Sequence, residues 1–110
     1  MIHKTIAEIE ARLEKASAVK DENKAELLLL LATLKSEIAE LSKTHVEQAQ
    51  SIAGFTGVST HEATREAKDP ELLKLSLDGL SSSVRGFEGS NPKLVEIVNR
   101  ICLTLSNLGI

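Results

Sequence analysis

The chain has 110 residues, of which 42% are hydrophobic, and its formal net charge is -3. A chain of this length forms one domain at most, with a modest core. Sixteen acidic residues against thirteen basic ones argue against a protein that binds nucleic acid by neutralising many phosphates. Phe55 and Phe87 are the only aromatic residues of the Phe, Trp and Tyr class, so the stacking of bases or sugars is also disfavoured.

Cys102 is the only cysteine, which excludes an intrachain disulfide and a zinc cluster built from several thiolates. We therefore expect a reducing, cytoplasmic setting. Charged residues follow Met1 before any apolar run, so no secretory signal is expected. The most hydrophobic segment, Ala25 to Leu34, is about ten residues long, roughly half of what a membrane-spanning helix needs. Stable insertion into a membrane is not expected.

The N-terminal half of the chain has the spacing of two amphipathic helices. Apolar residues at steps of three and four predict the first helix from Ile2 to Ala16. Asp21 is a candidate N-cap for the second, whose stripe consists of Leu27, Leu31, Leu34, Ile38 and Leu41. If this helix continues through His45 to Ile52, it holds about thirty residues and measures roughly 45 Å. Its first half is apolar on most sides, which predicts a central position.

The middle of the sequence has a weaker pattern. The run Gly54-Phe55-Thr56-Gly57 interrupts the helical spacing, and Ser59 followed by Glu62 has the form of a capping box for a short helix. Residues 44–69 are polar and weakly periodic. We therefore expect residues 54–69 to form a polar connection, either mobile or marginally helical.

Two further helices are predicted in the C-terminal half. Asp69 and Pro70 supply an N-cap and a first-turn proline, and the apolar stripe that follows runs to Phe87 and stops at Gly89. Another cap and proline at positions 91 and 92 begin the last helix, whose stripe consists of Leu94, Val98, Ile101, Leu105 and Leu108. Ile110 then either packs back as part of the C-terminal cap or is an exposed recognition signal, and the spacing favours the cap.

Four stripes with this period predict an all-α fold of helical hairpins, similar to a four-helix bundle, over residues 1–110 as one domain. One long central helix beside three shorter ones leaves part of the long helix without a partner in the same chain. We therefore expect a homo-oligomer, with a dimer favoured, in which a second copy completes the bundle.

The segment from Gly86 to Leu94 and the tail from Leu105 to Ile110 carry a family resemblance. The chain resembles the domain-of-unknown-function 4404 family, in which an F-E-x-S-H-P-x-L turn precedes a last helix ending in N-x-G-I. Asn91 stands where the family commonly has His, and the polar segment 44–69 is longer here. The resemblance implies a helical fold and a bacterial cytoplasmic setting, and it implies no activity.

The residues singled out for association are the stripe residues Leu27, Leu31, Leu34 and Ile38 and three others, His45, Phe87 and Ile110. His45 either titrates within the helical seam or sets its register, and the second role is favoured. The histidines lack the spacing of a metal site, and Cys102 is expected to be a small buried hydrophobe. Nucleotide-binding and hydrolase motifs are absent from the sequence, so no catalytic, cofactor or metal residue is expected.

The first functional hypothesis is a non-enzymatic interaction or scaffold protein that associates through its helices, with itself or with another protein. The alternative is a small-molecule or lipid-binding bundle with an apolar cavity beside Leu27 to Leu34. A third hypothesis, a peripheral membrane protein, is disfavoured by the acidic charge balance.

Overall fold

The computed structural model describes residues 2–17 and 19–108, and every element within them is an α-helix or a turn. The five helices are α1 (Ile2–Lys15), α2 (Asp21–Leu41), α3 (Val46–Thr64), α4 (Pro70–Ser83) and α5 (Pro92–Leu108). Neighbouring helices pack in the order α1, α2, α5, α4, α3 and back to α1, and α3 also contacts α2 and α5. The all-α, bundle-like class is therefore confirmed.

A single aliphatic core holds the helices together. Stripe residues that the sequence assigned to α1 and α5 are buried in it, among them Ile6, Leu13, Ile101 and Leu105. A surface ion pair of 2.8 Å between Lys35 Nζ and Glu10 Oε1 adds a polar contact between α2 and α1. The radius of gyration is 12.9 Å, close to the roughly 13 Å expected of a compact chain of this size.

The prediction of one long central helix is wrong. The chain turns between Leu41 and Val46, so two helices, α2 and α3, take its place. Two hydroxyls bond backbone carbonyls of the last turn of α2: Ser42 Oγ donates to Ala39 O at 2.7 Å and Thr44 Oγ1 to Leu41 O at 3.4 Å. Such local bonds compete with continuation of a helix. The described helices are comparable in length. The difference in helix length from which completion by a second copy was predicted is therefore absent.

Residues 54–69, predicted to be a polar connection that is either mobile or marginally helical, are helical as far as Thr64, because α3 runs through both glycines. Three buried or half-buried threonines make this possible. The hydroxyls of Thr56, Thr60 and Thr64 donate to the carbonyls of the residues four positions earlier, at 2.7, 2.8 and 2.7 Å. The buried face of α3 is thus rich in small residues, and its threonine hydroxyls are hydrogen-bonded, whereas the buried Ser59 hydroxyl has no partner among the described residues. Ser59 and Glu62 lie inside α3 rather than at a helix start.

The C-terminal helices begin where predicted, and α4 ends earlier than expected. Leu72 N donates to the Asp69 carboxylate at 3.1 Å, which confirms the N-cap. The last residue of α4 is Ser83, not a residue near Gly89. Gly86 has φ +96°, a backbone conformation that suits glycine and ends the helix, and its N–H donates to Glu88 Oε2 at 2.8 Å.

Candidate interaction surface

The leucine stripe of α2 lies inside the protein. Leu27, Leu31, Leu34 and Ile38 have exposed fractions of 0 to 1% and pack in the core that α2 shares with its neighbours. These four residues therefore stabilise the fold of one chain and do not form a surface for a partner. The central position predicted for this part of α2 is consistent with its contacts to α1, α3 and α5.

His45 and Phe87 meet, although neither lies in a helical seam. Their ring centroids are 5.5 Å apart in an edge-on arrangement with an interplanar angle of 86°. His45 is the exposed N-cap residue of α3, with Nδ1 2.7 Å from Thr44 Oγ1, and Phe87 is half-buried in the turn before α5. The seam position predicted for His45 and the helical position predicted for Phe87 are corrected accordingly. Ile110 lies outside the described residues.

The α3–α4 hairpin brings two helices close together at a glycine. Phe55 of α3 lies over Gly79 of α4, where an added Cβ would fall 2.6 Å from Phe55 Cδ1. A side chain at position 79 would overlap the ring, so the ring occupies space that only glycine leaves free. This contact fixes the alignment of the two antiparallel helices.

Four apolar side chains along this hairpin are exposed to solvent. Phe55 and Val58 of α3 are 40% and 51% exposed, and Leu72 and Leu75 of α4 are 44% and 59% exposed. Residues three or four apart share one side of a helix, so Leu72 and Leu75 lie on the side of α4 that carries Gly79. We call these four residues the apolar strip.

Sequence reasoning missed the apolar strip for two reasons. Phe55 and Val58 fell in a segment predicted to be a connection, and Leu72 and Leu75 are off the stripe that begins at Leu73. The signal that could have found them is the spacing of Leu72, Leu75 and Gly79, which defines a second face of α4 beside the core face.

A buried carboxylate lies near the end of α3. The Glu62 side chain is only 8% exposed, and Arg65 Nη1 donates to its Oε1 at 2.9 Å. His61 Nε2 lies 3.9 Å from the other carboxylate oxygen. The ammonium group of Lys68 donates to Ala63 O and so satisfies a carbonyl of the last turn. Arg65 and Lys68 therefore both stabilise the C-terminal end of α3.

The Gly79 contact gives a prediction whose sign depends on Phe55. Gly79→Ala in the native background gains helix propensity, but it forces the Phe55 ring out of its place, so we expect little gain or a net loss of stability. In a Phe55→Ala background the clash is gone, and the same substitution is expected to add about 0.5 to 1 kcal/mol to the free energy of unfolding. Urea unfolding of the four proteins measures the difference. Equal effects in both backgrounds would contradict the contact.

Cys102 is half-buried against the core, with Sγ 4.0 Å from Leu77 O. Burial, and secondarily the negative charge of Asp78, raise the pKa of the thiol from 9.0 to about 11. The thiolate is thus about a hundredfold scarcer in the folded chain than in the unfolded chain at pH values below 9. This environment is unlike that of a catalytic cysteine, whose pKa is lowered.

The raised pKa predicts a loss of stability at alkaline pH. Because the folded chain holds the thiol proton more strongly than the unfolded chain, this contribution is complete below pH 9 and decreases as the pH approaches 11. Unfolding of the native chain and of Cys102→Ala, followed across that range, separates the thiol from the lysines, which titrate in both. We expect a steeper decline for the native chain, and parallel curves would refute the assignment.

The described residues contain neither a cluster of metal-ligating side chains nor a membrane-spanning helix. No three side chains of the His, Cys, Asp and Glu class come together there in the way a metal ion would require. None of the described helices is both long enough and apolar enough to cross a bilayer.

Comparison with protein-family models, with curated proteins and with solved structures finds no match for this chain. The similarity of the turn at residues 86–94 to the domain-of-unknown-function 4404 family thus stays a prediction. The class that the structure itself supports is an all-α bundle with an exposed apolar strip on its α3–α4 hairpin.

Proposed function

We propose that this chain is a non-enzymatic association protein of the cytoplasm that forms a homodimer through the apolar strip. The observation that carries the proposal is the exposure of Phe55, Val58, Leu72 and Leu75 by 40 to 59% on one hairpin. These side chains belong to two helices that pack on each other, and groups of exposed apolar side chains are typical of interaction surfaces. The single cysteine, half-buried and protonated, suits a reducing compartment.

A second copy of the chain is the occupant that fits this surface best. In a two-fold dimer each residue of the strip meets the strip of the other copy, so an apolar surface packs on an apolar surface without any further component. The strip lacks Trp, Tyr and Arg, which are the usual anchors of tight interfaces. Four side chains also cover less than a standard interface, so we expect a dissociation constant on the order of micromolar.

Sedimentation equilibrium over a range of micromolar concentrations tests the proposal. The native chain is expected to show a reversible monomer–dimer equilibrium, and Leu75→Glu is expected to be monomeric because it places a charge in the centre of the interface. Leu103→Glu is the matched control, since Leu103 of α5 is 65% exposed and lies outside the strip. A native chain that stays monomeric, or a control that dissociates as completely as Leu75→Glu, would refute the proposal.

The alternative function, an apolar cavity for a small molecule or lipid beside Leu27 to Leu34, has no observation in its favour in the described part of the chain. The surface grooves found there are lined in large part by polar and charged residues of α1, α3 and α5, not by the leucines of α2. The association hypothesis is therefore the one that the geometry supports.

A further inference from the structure

A groove runs along the seam between α1 and α3, on the side of α3 that faces away from α4. Three adjoining depressions form it, and Arg12 lines all three. Gly57 contributes no side chain, which leaves space between Ile9 and Thr60. The widest part has a volume of about 570 Å³, within the range of small-molecule sites. We call it the α1–α3 groove.

The widest part of the groove is lined by three basic side chains and an imidazole, and also by two acidic side chains. Arg12 and Lys15 of α1 face His61 and Arg65 of α3 across it. Arg12 and Lys15 make no hydrogen bond or ion pair with the residues that the structure describes, whereas the charge of Arg65 is directed to Glu62. Arg12, Lys15 and the His61 imidazole thus border one space, and the two cations have no direct ion-pair partner among the described residues.

Two acids also line this part of the groove, Glu8 on α1 and Glu66 after the end of α3. Neither forms an ion pair with Arg12 or Lys15. Because the charge of a ligand multiplies its repulsion by these acids as much as its attraction to the cations, the class of ligand is inferred from the hydrogen-bond donors of the groove. Guanidinium, ammonium and imidazole donors together match the several acceptor oxygens of a phosphate.

We propose that the α1–α3 groove binds a phosphate monoester, with Arg12, Lys15 and His61 as the groups that contact the phosphate. Arg12 is central because it borders the groove along its whole length and its guanidinium can donate two parallel hydrogen bonds. Val58 borders one depression of the groove and also belongs to the apolar strip, whereas Arg12, Lys15 and His61 lie outside the strip, so the phosphate contacts do not require the dimer.

Three probes test the proposal, each at a constant ionic strength that is set with chloride. Inorganic phosphate and glycerol 3-phosphate are followed by amide chemical-shift titration. Vesicles that contain phosphatidic acid are followed by co-sedimentation. We expect saturable shifts confined to α1 and α3, with an affinity at least tenfold weaker in Arg12→Gln. Arg100→Gln, which removes an exposed cation from α5, is the matched control and is expected to bind like the native chain.

Each outcome decides the proposal. Saturation with the soluble esters supports it and points to a free phosphate, and binding to vesicles alone that Arg12→Gln abolishes supports it and points to a lipid headgroup. Shifts that grow without saturation across the whole chain, or an equal loss of affinity in Arg12→Gln and Arg100→Gln, would overturn it. Circular dichroism of both variants checks that each remains folded.

Discussion

Replacement of Leu34 by alanine is expected to lower the free energy of unfolding by about 3 to 4 kcal/mol and to leave the oligomeric state unchanged. Leu34 is fully buried in the core on α2, so the substitution removes packed methyl groups and leaves a cavity. Urea unfolding gives the first quantity and sedimentation the second, provided that both are measured where the variant is still folded.

Leu29→Ala is the matched control, because Leu29 belongs to the same helix and is 71% exposed. Its effect is expected to stay within about 0.5 kcal/mol. The pair separates the two roles that the leucine stripe could have. A Leu34→Ala chain that unfolds like the native one, or that loses a dimer while keeping its stability, would contradict the packing of α2. Such a result would indicate that Leu34 lies in an interface between chains.

Removal of the positive charge from Arg65 is expected to destabilise the protein by about 2 to 3 kcal/mol. The Arg65→Met substitution keeps most of the aliphatic contact but leaves the Glu62 carboxylate, only 8% exposed, without its 2.9 Å partner. His61 at 3.9 Å is too distant to replace that bond. A buried charge without a hydrogen-bonded partner is among the most costly defects in a folded chain.

A double-mutant cycle with Glu62→Gln measures this coupling. In the Glu62→Gln background Arg65→Met is expected to cost less than half as much, because no buried charge is left unpaired. The exposed pair Glu40 and Lys43, at 3.1 Å and with side chains 74% and 69% exposed, supplies the comparison. Lys43→Met is expected to cost less than about 0.5 kcal/mol. Equal effects at Arg65 and Lys43 would show that burial of Glu62 is energetically unimportant.

The helices that sequence spacing predicted well are those with a strong apolar stripe and clear end signals. α5 follows its cap and proline, and Leu94, Val98, Ile101 and Leu105 are all buried as its stripe required. α1 and the start of α4 are confirmed for the same reason. In these segments local preference and burial indicate the same structure, so a pattern in the sequence suffices.

The middle of the chain was mispredicted because local preference and burial disagree there. Gly54, Gly57 and the threonines are poor helix formers, and a pattern-based reading treats them as a connection. In the fold, small residues on the buried face of α3 let four neighbours approach, and hydroxyl bonds to the preceding turn satisfy the threonines. Neither effect can be derived before the neighbours of α3 are known.

The candidate surfaces could not be predicted from the sequence for a related reason. Both the apolar strip and the α1–α3 groove depend on residues from two helices that only the tertiary fold brings together. His61 and Arg65 are close together in the sequence, but Arg12 and Lys15 are about fifty residues earlier in the chain. His45 and Phe87 were each noted, and their edge contact likewise requires two turns that are distant in sequence.

The contacts of α3 with all four other helices have a consequence for how the protein loses its structure. A helix of low intrinsic propensity is unstable in isolation, and the helices packed against it lose that contact surface when it unfolds. Among the described helices, unfolding of α3 therefore removes packing from each of the other four. Amide hydrogens along α3 should then exchange with solvent only in the rare events that unfold the whole molecule.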